Sequence, residues 1–229
     1  MMRRTFVSGL LFIYITAFTN SQILISPNYS LKSHETLNIK KIEAENRATI
    51  FYMSVENRRV GGTFCADKNI YIVYPDGKRI KLTSAIGIPT CPDAYNFKTT
   101  GEKLDFTLEF PPVKPGTKWI DLVEDCPDNC FSFYGICLDG SLNKRLDNAF
   151  ELAENGDEAK ALNIFISIAG ELDKENQGIA GLIYINIIKL ARETGDNAKA
   201  EEWYGKFKLS DTPRLPQYIK FLNDKGIKY

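Results

Sequence analysis

The sequence predicts an α+β protein in two parts: an all-β sandwich of immunoglobulin-like size over residues 22–138, then an α-helical unit of hairpins over residues 141–229. Three observations predict it. Apolar residues recur at period two between Thr36 and Leu138, broken by turn residues at short intervals. After Asp139-Gly140 the period becomes helical. The stretch NGDEAKALNIF at 155–165 is echoed by TGDNAKAEEWY at 194–204, a repeated helix stop and start.

The chain opens on a different pattern. Met1, Met2, Arg3 and Arg4 form a basic start, Phe6 to Phe18 is apolar, and small Thr19 and Ser21 follow. This is the plan of a secretory signal peptide, residues 1–21, with cleavage expected after Ser21. The apolar run falls well short of the ~20 residues that a membrane-spanning helix needs, so no transmembrane segment is expected in the mature chain. The location implied is export: periplasmic, associated with the cell envelope, or secreted. The whole chain carries 29 basic and 29 acidic residues, and the signal removes two arginines and no acid. That balance offers no electrostatic footprint for nucleic acid.

Strands are expected at Leu37–Ile42, Ala48–Val55, Ile70–Tyr74, Arg79–Leu82, Leu104–Phe110, Lys118–Glu124 and Phe131–Leu138. In LDFTLEF, Leu104 to Phe110, every even position is apolar and every odd one polar, as in an antiparallel strand with one face buried. Pro75-Asp76-Gly77 supplies turn chemistry between two of these runs, and Pro111-Pro112 with Pro115-Gly116 turns the chain between two others. About seven short strands suit a sandwich, with a small barrel as the alternative.

Five cysteines lie beyond the signal: Cys65, Cys91, Cys126, Cys130 and Cys137. In an exported chain disulfides are the first expectation. Cys126 and Cys130 flank the turn-forming Pro127-Asp128-Asn129, and Cys65 and Cys91 sit beside turn signals, so these two pairings are favoured, with Cys137 left as a buried thiol. The spacing does not suit a zinc site, so no metal and no cofactor are expected. His34, the only histidine, has no nucleophile motif beside it and reads as solvated.

Aromatic residues such as Tyr95, Trp119 and Tyr134 raise the possibility of a carbohydrate platform, although aromatics in strands mostly fill cores. Asp93, Glu124, Asp125 and Asp128 could be a carboxylate cluster, but they lack calcium-loop spacing and read as a solvated loop.

In the C-terminal part, Leu142, Leu146, Ala149, Phe150 and Ala153 form one helical stripe, ended by Gly156. Asp157 caps a second helix with Ala161, Leu162, Phe165, Ile168, Ala169 and Leu172 on one face. A third helix, Gln177 to Glu193, is apolar nearly all round, as a helix sandwiched between neighbours would be. Gly195-Asp196 repeats the stop and cap before a fourth helix bearing Ala200, Trp203, Tyr204 and Phe207. Thr212-Pro213 predicts the cap and first position of a fifth.

The paired Gly-Asp joints, each with a small residue and then an aromatic at matched positions (Ala161 and Phe165, Ala200 and Tyr204), resemble the tetratricopeptide repeat over residues 142–224. The interval between the two joints exceeds the ~34 residues of that family, and two repeats leave apolar faces uncovered, so the helices are expected to pack on the β part. The resemblance implies protein binding on a concave helical face, where Asn143, Asn186, Lys189 and Arg192 could contact a partner. The functional expectation is therefore an exported, non-enzymatic interaction module with a protein partner, acting as adaptor or scaffold. The alternative is a carbohydrate-binding protein using the sandwich aromatics.

Overall fold

A computed structural model of the protein describes residues 22–172 and 174–229. The predicted signal peptide lies outside the described residues. Among the described residues, twelve strands are followed by five α-helices. The strands are β1 (Gln22–Ile25), β2 (Leu31–Lys32), β3 (Leu37–Ala44), β4 (Thr49–Glu56), β5 (Thr63–Phe64), β6 (Ile70–Val73), β7 (Arg79–Lys81), β8 (Ser84–Ile86), β9 (Tyr95–Asn96), β10 (Lys103–Phe110), β11 (Trp119–Glu124) and β12 (Ser132–Cys137). The helices are α1 (Gly140–Glu154), α2 (Glu158–Glu171), α3 (Ala180–Glu193), α4 (Asn197–Lys208) and α5 (Leu215–Asp224).

Two five-stranded antiparallel sheets, ordered β1-β3-β4-β10-β8 and β2-β12-β11-β6-β7, carry the N-terminal part. Alternation places Phe51, Met53 and Val55 of β4 beside Leu104, Phe106 and Leu108 of β10, and these join Ile70, Ile72, Ile120, Leu122 and Phe133 of the other sheet in one buried cluster. The seven strands expected from period two all form, within two residues at each end. Those without a signal, β1, β2, β5, β8 and β9, have two to four residues each. That is too short for alternation to register.

β11 departs from simple alternation, because Trp119 and Asp121 are buried along with Ile120 and Leu122. Their outward face is covered by the helical part. Gly178, in a 3-10 turn spanning Lys174–Ile179, lies so close to Trp119 that a Cβ would meet the indole at 2.2 Å. Ser30 Oγ donates to the Gly178 carbonyl at 2.6 Å. This docking explains a difference from the sequence-based boundary: the third helix begins at Ala180 rather than Gln177, since the preceding turn is shaped to the indole.

The sequence echo is a geometric repeat. Gly156 and Gly195 both sit at positive φ, 84° and 80°. At each, the following Asp donates its N–H to the carbonyl five residues back around the helix end, Asp157 to Leu152 and Asp196 to Ala191, both at 2.8 Å. Ala161 and Ala200 are fully buried, and Phe165 and Tyr204 follow each of them in the core. The two caps differ in detail. Asp196 accepts from the Lys199 N–H, whereas Asp157 makes no side-chain cap and its carboxylate instead pairs with Lys160.

The fifth helix corrects the expected Thr212-Pro213 start. α5 begins at Leu215, after Arg214 in the left-handed region at φ 61°. That backbone aims the Arg214 guanidinium at Asp121 of β11 and over the Tyr134 ring, 3.8 Å from its centroid. A contact made across the molecule thus displaces the boundary that local cap chemistry predicts.

Candidate binding site at the disulfide-stapled end of the sheets

Three loops meet at one end of the sheets: residues 57–69 between β4 and β6, residues 87–102 between β8 and β10, and residues 125–131 between β11 and β12. The first two are zipped together. β5 pairs with β9, Ala66 N–H donates to the Pro89 carbonyl at 3.0 Å, and Asn57 Nδ2 donates to the Thr99 carbonyl at 2.8 Å. Cys65–Cys91 crosses the same two loops with its Cα atoms 5.3 Å apart. Cys126–Cys130 closes the third loop on itself, Cα atoms 5.6 Å apart. Both pairings are those that turn chemistry favours, and Cys137 is a buried free thiol whose pKa burial pushes up to about 12.

Between these loops opens a cleft of about 800 Å³. Val55, Phe64 and Phe97 form its apolar floor, Arg58 and Arg59 stand at its rim, and Asp67, Glu124 and Asp128 line one wall. Val60, at the tip of the Arg58-Arg59 turn, is 87% exposed. His34 also lines the cleft, its Nδ1 2.8 Å from Ser33 Oγ.

Glu124 corrects the expectation of a solvated carboxylate cluster. Asp93, Asp125 and Asp128 are exposed, but Glu124 is buried. Its Oε1 accepts the Asp67 N–H at 2.7 Å and its Oε2 the Phe131 N–H at 3.0 Å. Burial raises its pKa, against the pull of those two N–H groups. The residue belongs to a strand, so its side chain is carried inward before the loop begins. Among the described residues, no group of three His, Cys, Asp or Glu side chains is placed to hold a metal ion.

The four residues expected on a concave helical face separate. Asn143 is buried, and its amide is fully engaged. Oδ1 accepts the Asn28 N–H at 2.8 Å, and Nδ2 donates to the Cys137 and Asp139 carbonyls at 2.9 and 3.1 Å. It is a structural tie between α1 and the sheets, not an open contact residue. Asn186 Nδ2 donates to the Leu182 carbonyl one turn back at 2.8 Å. Lys189 and Arg192 do come together, on a shallow groove completed by Phe221, Lys225 and Ile227 of the C-terminal segment.

The aromatic platform fares no better as an open surface. Trp119 is buried beneath Gly178, and Tyr95 is half-buried with its hydroxyl donating to Glu102 at 2.7 Å. Sequence reasoning did not pick out Arg58 and Arg59. Their only local signal was the Gly61-Gly62 pair that lets the turn carry them to the rim. No helix among the described residues is long and apolar enough to cross a membrane. No family model, curated protein or solved structure matches this chain.

Proposed function

We propose that this chain is an exported, non-enzymatic interaction protein that binds a protein partner with the loop end of its sheets and uses its helices as a scaffold. The observation that carries the reading is the cleft itself. Three loops from both sheets converge on it, two disulfides hold them, and Arg58 and Arg59 line it beside the exposed Val60. Stapled loops are ordered before binding, so little conformational entropy is lost on association. Disulfides also suit a compartment in which thiols oxidise, which agrees with export.

The strand order supports the finer fold assignment. β3-β4-β10-β8 facing β12-β11-β6-β7 follows the A-B-E-D and G-F-C-C′ plan of immunoglobulin-like sandwiches. In that plan the 57–69, 87–102 and 125–131 loops are the B–C, D–E and F–G loops of one pole, and B–C and F–G loops serve recognition in antibody variable domains. For the helices, the matched joints at Gly156 and Gly195 support a degenerate pair of tetratricopeptide-like hairpins.

The test is affinity capture from the exported fraction of the source cells, comparing wild type with Arg58→Glu/Arg59→Glu and with Lys189→Glu/Arg192→Glu. Loss of a specific partner with the first pair alone supports the loop end. Loss with the second pair alone moves the site to the helical groove. Glycan-array binding abolished by Tyr95→Ala would replace both with the carbohydrate reading.

A further inference from the structure

The two disulfides stand in different surroundings. Cys65–Cys91 crosses two loops that are already joined by the β5–β9 ladder and by backbone bonds on both sides of it, including Cys91 N–H to the Ala66 carbonyl at 3.1 Å. Cys126–Cys130 closes a short loop whose intervening residues, Pro127, Asp128 and Asn129, are exposed, and both of its cysteines are only half-buried. Opening it would release a local turn and leave both sheets paired. One side of this disulfide faces a buried acid: Cys126 Sγ lies 4.0 Å from Glu124 Oε2. Each sulfur has a backbone carbonyl beside it, Cys126 Sγ that of Asp128 at 3.1 Å and Cys130 Sγ that of Cys126 at 2.8 Å, but only Cys130 Sγ also faces a donor, the Cys126 N–H at 3.2 Å.

We propose that Cys126–Cys130 is a thiol–disulfide exchange site for a dithiol-bearing partner, with Glu124 as the proton donor to Cys126. The incoming thiolate attacks Cys130 Sγ. The S–S bond breaks, its electron pair passes to Cys126 Sγ, and that sulfur takes the proton of the Glu124 carboxyl, which solvent replaces. The partner's second thiolate then attacks the partner sulfur of the mixed disulfide and expels Cys130 as a thiolate held by the Cys126 N–H, to be protonated by solvent. The partner's dithiol is oxidised to a disulfide and the Cys126–Cys130 pair is reduced to two thiols. Two electrons move, and the two protons lost by the partner balance those gained by the cysteines.

The asymmetry between the sulfurs makes this more than a statement about exposure. With a carbonyl beside each sulfur, the difference is the N–H at Cys130, which favours a thiolate there, and the Glu124 side chain 4.0 Å from Cys126, which opposes a thiolate when ionised and can give that sulfur a proton when protonated. Burial raises the Glu124 pKa, which keeps a proton available in weak acid. The titratable and charged side chains that line the same cleft are Asp67, whose N–H Glu124 accepts, Asp128 in the turn, His34, Arg58 and Arg59.

The test uses the isolated folded protein and small thiols, so it succeeds or fails independently of whether a binding partner is found. Wild-type protein is treated with dithiothreitol in glutathione buffers, quenched by alkylation, and mapped by mass spectrometry. Cys126–Cys130 is expected to open at least ~100-fold faster than Cys65–Cys91, with the fold retained. In the single variants, Cys126→Ser is expected to leave Cys130 reacting with iodoacetamide at neutral pH about tenfold faster than Cys126 reacts in Cys130→Ser. With rates divided by the dithiothreitol thiolate fraction, Glu124→Gln should slow reduction of the Cys126–Cys130 pair and flatten the rise of that corrected rate toward acid. Reduction of both disulfides together, or equal alkylation rates in the two variants, overturns the proposal. Should Glu124→Gln fail to fold, the comparison of the two serine variants still decides the matter.

Discussion

Removing Arg214 should uncouple the two parts of the molecule, and the structure sets the size of the effect. The Asp121 side chain is 6% exposed and that of Arg214 is 27% exposed, so the pair is largely withdrawn from water. Breaking a buried pair by deleting one partner costs about 3–5 kcal/mol, because the remaining charge is stranded. Asp121 would keep one compensating bond, from the Gly135 N–H at 2.7 Å, which places the loss near the low end. The guanidinium stacked on Tyr134 adds about 0.5–1 kcal/mol. Arg214→Ala should therefore lose about 3–4 kcal/mol in urea unfolding followed by tryptophan fluorescence. Adding Asp121→Asn should restore at least about 1.5 kcal/mol by removing the stranded charge. Burial already raises the Asp121 carboxyl above its ordinary 3.8, against the pull of Gly135 and Arg214, and loss of Arg214 raises it further. The deficit of the variant is then smallest in acid, where the carboxyl is protonated, and grows as pH rises through that raised value. A loss below about 1 kcal/mol, or no rescue by Asp121→Asn, would refute the argument that this contact locks helices to sheets.

Gly178→Ala should destabilise by about 1–3 kcal/mol and change the Trp119 emission, since its Cβ would lie 2.2–2.5 Å from indole atoms; an unchanged melting curve and spectrum would show that the turn can retreat. Arg145 hydrogen-bonds Glu171 and holds its carboxyl at about 2, below the ordinary 4.5. Its contribution is complete above about pH 4.5 and is lost as pH falls toward 2, so Glu171→Gln should show a smaller drop in urea midpoint between about pH 5 and about pH 3 than wild type. Cys65→Ser/Cys91→Ser, which opens a separation of 26 residues, should cost about 3.5 kcal/mol on the chain-entropy account, measured by denaturation of each form. Cys137, its thiol pushed up to about 12, should resist maleimide in the folded protein at about pH 8 and label promptly in denaturant.

Much of this architecture was legible in the sequence because its determinants are local. Period-two alternation in Leu104–Phe110 predicts both a strand and its inward face, and β10 buries those same residues. The Gly-Asp joints predict two helix ends, because a positive φ and a backbone cap are properties of a few adjacent residues. The disulfide pairs follow from turn chemistry next to each cysteine.

The site was less legible, because its parts come from separate loops. Glu124 and Asp125 are neighbours in an acidic stretch, yet one is buried against two backbone N–H groups and the other is exposed. Asn143 sits at a helical position that would suit a polar face, and only the arrival of Asn28, 115 residues away, turns it inward.

What the sequence by itself determined is the order of elements, the change of period at Asp139-Gly140, the repeated helix joint and the pairing of cysteines, all properties of short spans of chain. Only the tertiary structure decided that three loops would enclose one cleft, that Trp119 would lie under Gly178 rather than face solvent, and that Arg214 would set the start of α5 by reaching Asp121. The physical reason is range. Propensity and capping act within a turn or a strand, while burial and ion pairing act between residues that the fold alone brings together.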